Sequence, residues 1–199
     1  MARRLLQMVI ALALAAPSAA AAAERRLQFR SAELPLLQSD KDLCAAAGIG
    51  ANVALAGGLW AYRLRDGTVA REAERIGRAT ACVRLTNLAF PAGLQQNFYA
   101  RLSLPDGEYT AVGSCTVISN DVPVGMLVLA GCSLRLVAFP DGVVGGAVTT
   151  LSTFNPFHLP GFTTGSYWTV QLYENAEPGE QSDSDEAMHW MDDAKEEPR

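Results

Sequence analysis

The chain has 199 residues with 16 basic and 21 acidic side chains, a net charge of −5. Nine of the acids fall in residues 177–199 against Lys195 and Arg199, and residues 24–176 hold twelve charges of each sign. A neutral body with an acidic tail lacks the basic footprint of a nucleic-acid binder, so that class is excluded.

The N-terminus reads as an export signal. Arg3 and Arg4 precede the apolar stretch Leu5–Ala16, Pro17 breaks it, and Ala21-Ala22-Ala23 supplies the small residues of a cleavage site, so residues 1–23 are expected to be removed before Glu24. The apolar stretch is shorter than the roughly 20 residues a bilayer span needs. No later segment is long enough either, and the mature chain is expected to carry no membrane span.

In chain order, a short helix is expected over Lys41–Ala47, capped by Ser39-Asp40 and ended by Gly48 and Gly50. Leu59–Arg65 reads as a strand before the Asp66-Gly67 turn. Val69–Ile76 is ambiguous, because Val69, Ala73 and Ile76 have helical spacing, but the preceding turn favours a hairpin partner. Ala79–Thr86 reads as a further strand. Phe98, Ala100, Leu102 and Leu104 then alternate with Tyr99, Arg101 and Ser103, a strand with one apolar face. Tyr109–Ile118, Met126–Val137, Val143–Thr153 and Ser166–Tyr173 follow, separated by turns at Pro105-Asp106-Gly107, around Pro123, and at Pro140-Asp141-Gly142. Short turns imply antiparallel neighbours. Seven or eight such strands must close or split into two layers to hide their edges. The expected fold is an all-β, antiparallel, eight-stranded barrel with a short N-terminal helix, supported by strand glycines such as Gly113, Gly131 and Gly146 that suit barrel corners; a β-sandwich is the alternative.

Cys44, Cys82, Cys115 and Cys132 make an even set in an exported chain, which favours two disulfides over metal binding. Folding 115–119 back on 128–132 sets Cys115 opposite Cys132, within disulfide reach. The expected pairing is therefore Cys44–Cys82 and Cys115–Cys132. With no Cys-x-x-Cys and only His158 and His189, neither a metal nor a cofactor is expected.

The run Phe98–Gly113, with Leu127–Gly131, Phe139–Gly146 and Tyr167–Tyr173, resembles paired strands of the allene oxide cyclase and dirigent barrels. The likeness covers residues 96–173. It implies an eight-stranded barrel with an apolar interior and carries over no active site; the acidic residues of dirigent pockets have no matching position, and Cys115 and Cys132 depart from the pattern.

No nucleophile–base pair, paired carboxylate or phosphate loop stands out. The candidate ligand-binding residues are Phe154, Phe157, His158, Phe162, Tyr167 and Trp168. Four large apolar groups, counting Leu159, crowd the loop before the last strand, either plugging the barrel or lining its mouth. Alternation allows only one of Tyr167 and Trp168 to face inward, and places Arg101 and Arg135 on the solvated face. The tail from Glu177 is expected to be disordered, with Ala187–Met191 an apolar island able to dock on a partner. The expected function is a periplasmic or secreted non-enzymatic module that holds a small apolar ligand or meets an envelope or secreted protein. A cyclase or isomerase working in an apolar cavity is the alternative. A filled interior favours surface interaction; a hollow one with a buried polar group favours the enzyme.

Overall fold

A computed structural model describes residues 22–65, 68–121 and 124–175. The leader before Ala22, the acidic tail and the 187–191 island lie outside the described residues. Eight strands and one helix make up the body: β1 (Ala22–Leu34), α1 (Gln38–Ala46), β2 (Val53–Arg65), β3 (Thr68–Arg84), β4 (Gln95–Leu104), β5 (Gly107–Asp121), β6 (Val124–Ala138), β7 (Val143–Phe154) and β8 (Gly165–Asn175). Each strand pairs antiparallel with the next, and β1 closes the barrel on β8 from Ala22↔Asn175 to Ala32↔Gly165. The expected barrel is present, and closure leaves no unpaired edge strand among the described residues.

Three local expectations are corrected. β1 was not foreseen, although Leu27, Phe29 and Ser31 alternate with Arg26, Gln28 and Arg30. The expected segments Val69–Ile76 and Ala79–Thr86 merge into one strand, β3, which ends at Arg84, before Leu85 and Thr86, and whose register against β2 shifts between Leu59 and Trp60, which pair with Gly77 and Arg75. Ile76 is thus the extra residue of a bulge, and a bulge breaks the period of two. The helix starts earlier than Lys41, because Asp40 lies within its first turn rather than before it. The Asp40 carboxylate accepts a 2.8 Å bond from the Leu37 N–H and closes that end.

Both disulfides form as expected, Cys44–Cys82 with α-carbons 5.2 Å apart and Cys115–Cys132 directly opposed across β5 and β6. They occupy opposite sides of the wall. Cys82 faces outward, where Cys44, Tyr99, Ala54 and Val112 pack α1 against the sheet. Cys115 and Cys132 face inward with the main core. Beneath α1, Asp40 also accepts hydrogen bonds from Arg78 and from the Thr80 hydroxyl. Burial works against the Asp40 charge, but the bonds from Thr80, Arg78 and Leu37 outweigh it and hold the carboxyl below its usual range.

The inner face divides into two halves along the barrel axis. Toward the turns after β4 and β6, Leu59, Leu102, Tyr109, Val148, Val170 and Leu172 are all sealed from solvent. Close strand approach there requires glycine: a Cβ on Gly146 would lie 2.2 Å from the Gln171 carbonyl oxygen. A polar cluster finishes this end. Arg25 donates to Glu174 and Asp106, each at 2.8 Å, and the Tyr109 hydroxyl donates to Asp106 at 2.9 Å. Burial, then the bond to Asp106, pushes the Tyr109 phenol up to about 12.

Candidate functional site

In the other half of the barrel several inward positions are small. Gly57 on β2, Ala79 and Ala81 on β3 and Ala130 on β6 all face the interior. They leave a cavity of about 150 Å³, far more than the roughly 10–15 Å³ that one water needs. Leu55, Val83, Val117 and Val128 supply aliphatic wall, and Phe90, Phe98, Phe154 and Trp168 supply aromatic wall. Phe90 and Phe154 meet at a ring separation of 5.7 Å, and Trp168 stacks on Phe29 at 6.2 Å. The inward-facing Cys115–Cys132 disulfide is part of the same wall.

Polar groups enter at few points. On β1, Ser31 Oγ accepts hydrogen bonds from the Ser166 N–H at 3.1 Å and the Trp168 indole N–H at 3.2 Å, fixing the orientation of that ring. Ser152 and Ser166 share a 2.8 Å hydroxyl contact beside it. On β4, Gln96 is 5% exposed and its Oε1 accepts from the Thr86 N–H at 3.2 Å. Its Nε2 is buried with no hydrogen-bond partner among the described residues, an arrangement that costs about 1–3 kcal/mol when left unpaired. Glu33, exposed at the rim, is the one charged residue among the described residues of the lining.

The sequence candidates divide cleanly. Phe154 and Trp168 are in the cavity wall. Phe157 (64% exposed), Phe162 (49%) and Tyr167 (70%) face solvent, and so does His158, so the structure does not gather the six into one site. Of the two expectations for the loop, wall-lining describes Phe154 alone, and neither describes Phe157 or Phe162. The reason is Asn155, buried at the loop base. Its side chain accepts from the Leu159 N–H at 2.9 Å and donates to the carbonyls of Leu159 and Phe162 at 3.1 and 2.9 Å. This polar knot folds the loop on itself, and His158 takes a positive φ of 52° to follow it. Arg101 and Arg135 stand on the outer face, as alternation requires.

Gln96 was missed, though its parity with Phe98, Ala100 and Leu102 is a usable signal for an inward position. Among the described residues no group of His, Cys, Asp and Glu is placed to hold a metal ion, and no helix is long and apolar enough to cross a membrane. No protein-family model matches the chain, nor does any curated protein or solved structure.

Proposed function

We propose that the protein is a non-enzymatic carrier that holds a small apolar ligand in the open half of its barrel. One observation carries this reading: small inward residues at Gly57, Ala79, Ala81 and Ala130 leave a cavity with an almost wholly apolar wall. Evolved interiors normally pack to crystal-like density, and voids beyond water size cost stability through lost contacts. A cavity kept inside a closed and doubly disulfide-bonded barrel is the form that apolar ligand sites take. The two disulfides support an exported setting, periplasmic or secreted. The resemblance to allene oxide cyclase and dirigent barrels is in keeping with a barrel of apolar interior.

A hollow interior with a buried polar group is the expectation set for a cyclase or isomerase, and the unpaired Gln96 amide answers to it, because a buried N–H donor beside an apolar substrate is able to polarise it. The carrier reading is preferred because the only acid or base among the described residues of the lining is Glu33 at the exposed rim. The test separates the two. The full exported chain, purified with its disulfides intact, is compared in native and denaturing mass spectra. The carrier reading expects excess mass that disappears on denaturation, and return of the extracted compound unchanged after incubation with fresh protein. Conversion of that compound supports the enzyme. A bare native mass, together with failure to take up any apolar probe, rejects both.

A further inference from the structure

We infer that the cavity selects a neutral carbonyl compound with an apolar body, its oxygen accepting a hydrogen bond from the Gln96 amide; this rests on the carrier reading. The Gln96 amide has one defined direction. The Thr86 N–H occupies Oε1. The flipped amide would set one donor against another, so the orientation is fixed and the nitrogen is the atom left over. That nitrogen is a donor with two hydrogens, buried and without an acceptor among the described residues. It belongs to a residue of the cavity wall. The nitrogen is covered by the wall itself, so a guest oxygen reaches it by displacing a neighbouring wall side chain while the Thr86 bond is kept.

A second donor belongs to the same wall. Ser31 Oγ accepts from both the Ser166 N–H and the Trp168 indole, which fills its two lone pairs. Its own proton has no acceptor among the described residues. β1 and β4 are three strands apart round the barrel, so the two donors approach a guest from different walls. Donors without acceptors in an apolar cavity call for an acceptor on the guest. Charge settles its kind. Among the described residues of the lining there is no Lys, Arg or His to offset a carboxylate, and Glu33 at the rim repels anions. An oxygen that is neutral and a strong acceptor is a carbonyl. Phe90, Phe98, Phe154 and Trp168 favour a flat or cyclic body against their rings.

The experiment uses 1-indanone and indane, the same ring system with and without the carbonyl, titrated calorimetrically into the full disulfide-intact protein and into Gln96→Met. Hydrophobic transfer alone favours indane, because the ketone must lose its hydration. The wild type is expected to bind 1-indanone about tenfold more tightly than indane, the size of effect a satisfied buried donor produces. In Gln96→Met that preference disappears, and measurable binding of indane by the variant shows the cavity intact. A wild type that prefers indane overturns the carbonyl assignment while leaving the carrier reading in place, and needs no variant. Preference retained in Gln96→Met removes Gln96 from the role. Binding of neither compound overturns the carrier reading and the inference with it.

Discussion

Ala81 on β3 and Ala100 on β4 are direct partners across the ladder, both facing inward. Ala81 lines the cavity, whereas Ala100 is fully buried in the packed core beside its β5 partner Ala111. Replacing each by leucine puts the same three carbons into two neighbouring places. At Ala81 they enter free space. About 0.8 kcal/mol per buried methylene gives ~2.4 kcal/mol, and loss of leucine rotamer freedom returns about 0.5–1 kcal/mol, so Ala81→Leu should stabilise by about 1.5 kcal/mol. At Ala100 there is no room, and overpacking costs about 1–3 kcal/mol. In thermal unfolding followed by circular dichroism, with disulfides intact, Ala81→Leu should raise the midpoint by about 3–6 °C and Ala100→Leu lower it by a similar amount or more. The same Ala81→Leu variant should lose ligand uptake. Equal destabilisation by both substitutions refutes the cavity; equal tolerance refutes the packed neighbour.

Raising the pH should remove the contribution of Tyr109, whose phenol lies near 12 when folded and near 10 when unfolded. The folded state holds its proton longer, so stability is fully present below about pH 10 and falls as pH rises toward 12. Chemical denaturation across that window should show a loss of roughly 2 kcal/mol that Tyr109→Phe abolishes; the same slope in Tyr109→Phe contradicts the assignment. Asp40 behaves in the opposite sense: its carboxyl is held below the usual range, so its contribution is present above the unfolded value near 4 and is lost as pH falls through the lower folded value. Asp40→Ala should cost about 2–3 kcal/mol, less than a fully buried pair because Arg78 keeps a quarter of its side chain exposed; denaturant melts without the acid-side slope check both statements. Replacing Cys44 and Cys82 together by serine opens a loop closed over a separation of 38 residues, worth about 4 kcal/mol by chain entropy. Hydrogen exchange should then rise across α1 before the barrel, and uniform acceleration would contradict the outer placement of the helix.

What was legible in the chain follows from how local each feature is. β4 declared itself because Phe98, Ala100 and Leu102 alternate without interruption, and the Cys115–Cys132 bond followed from one hairpin register. β1 carries the same alternation, but its outward positions are Arg26, Gln28 and Arg30, and its charge masks the apolar face. β3 was divided because the bulge at Ile76 shifts the phase of its inward residues halfway along. The cavity had no local sign at all. It arises where Gly57, Ala81 and Ala130, from three separate strands, arrive at one level of the barrel, and only the closed register brings them together. Aromatic residues drew attention to the β7–β8 loop, yet the polar Asn155 decides its shape and turns Phe157 and Phe162 outward.

The proposed carrier has one half of its barrel open to an apolar guest and the other closed. Methyl groups of alanine, valine and leucine, labelled with carbon-13 and followed by NMR as 1-indanone is added, report on both halves at once. Saturable shifts at Leu55, Ala81, Val117 and Ala130, with Leu102, Val148 and Leu172 unmoved, are the expected result. Shifts spread over both halves, or none at the four cavity positions, would contradict it.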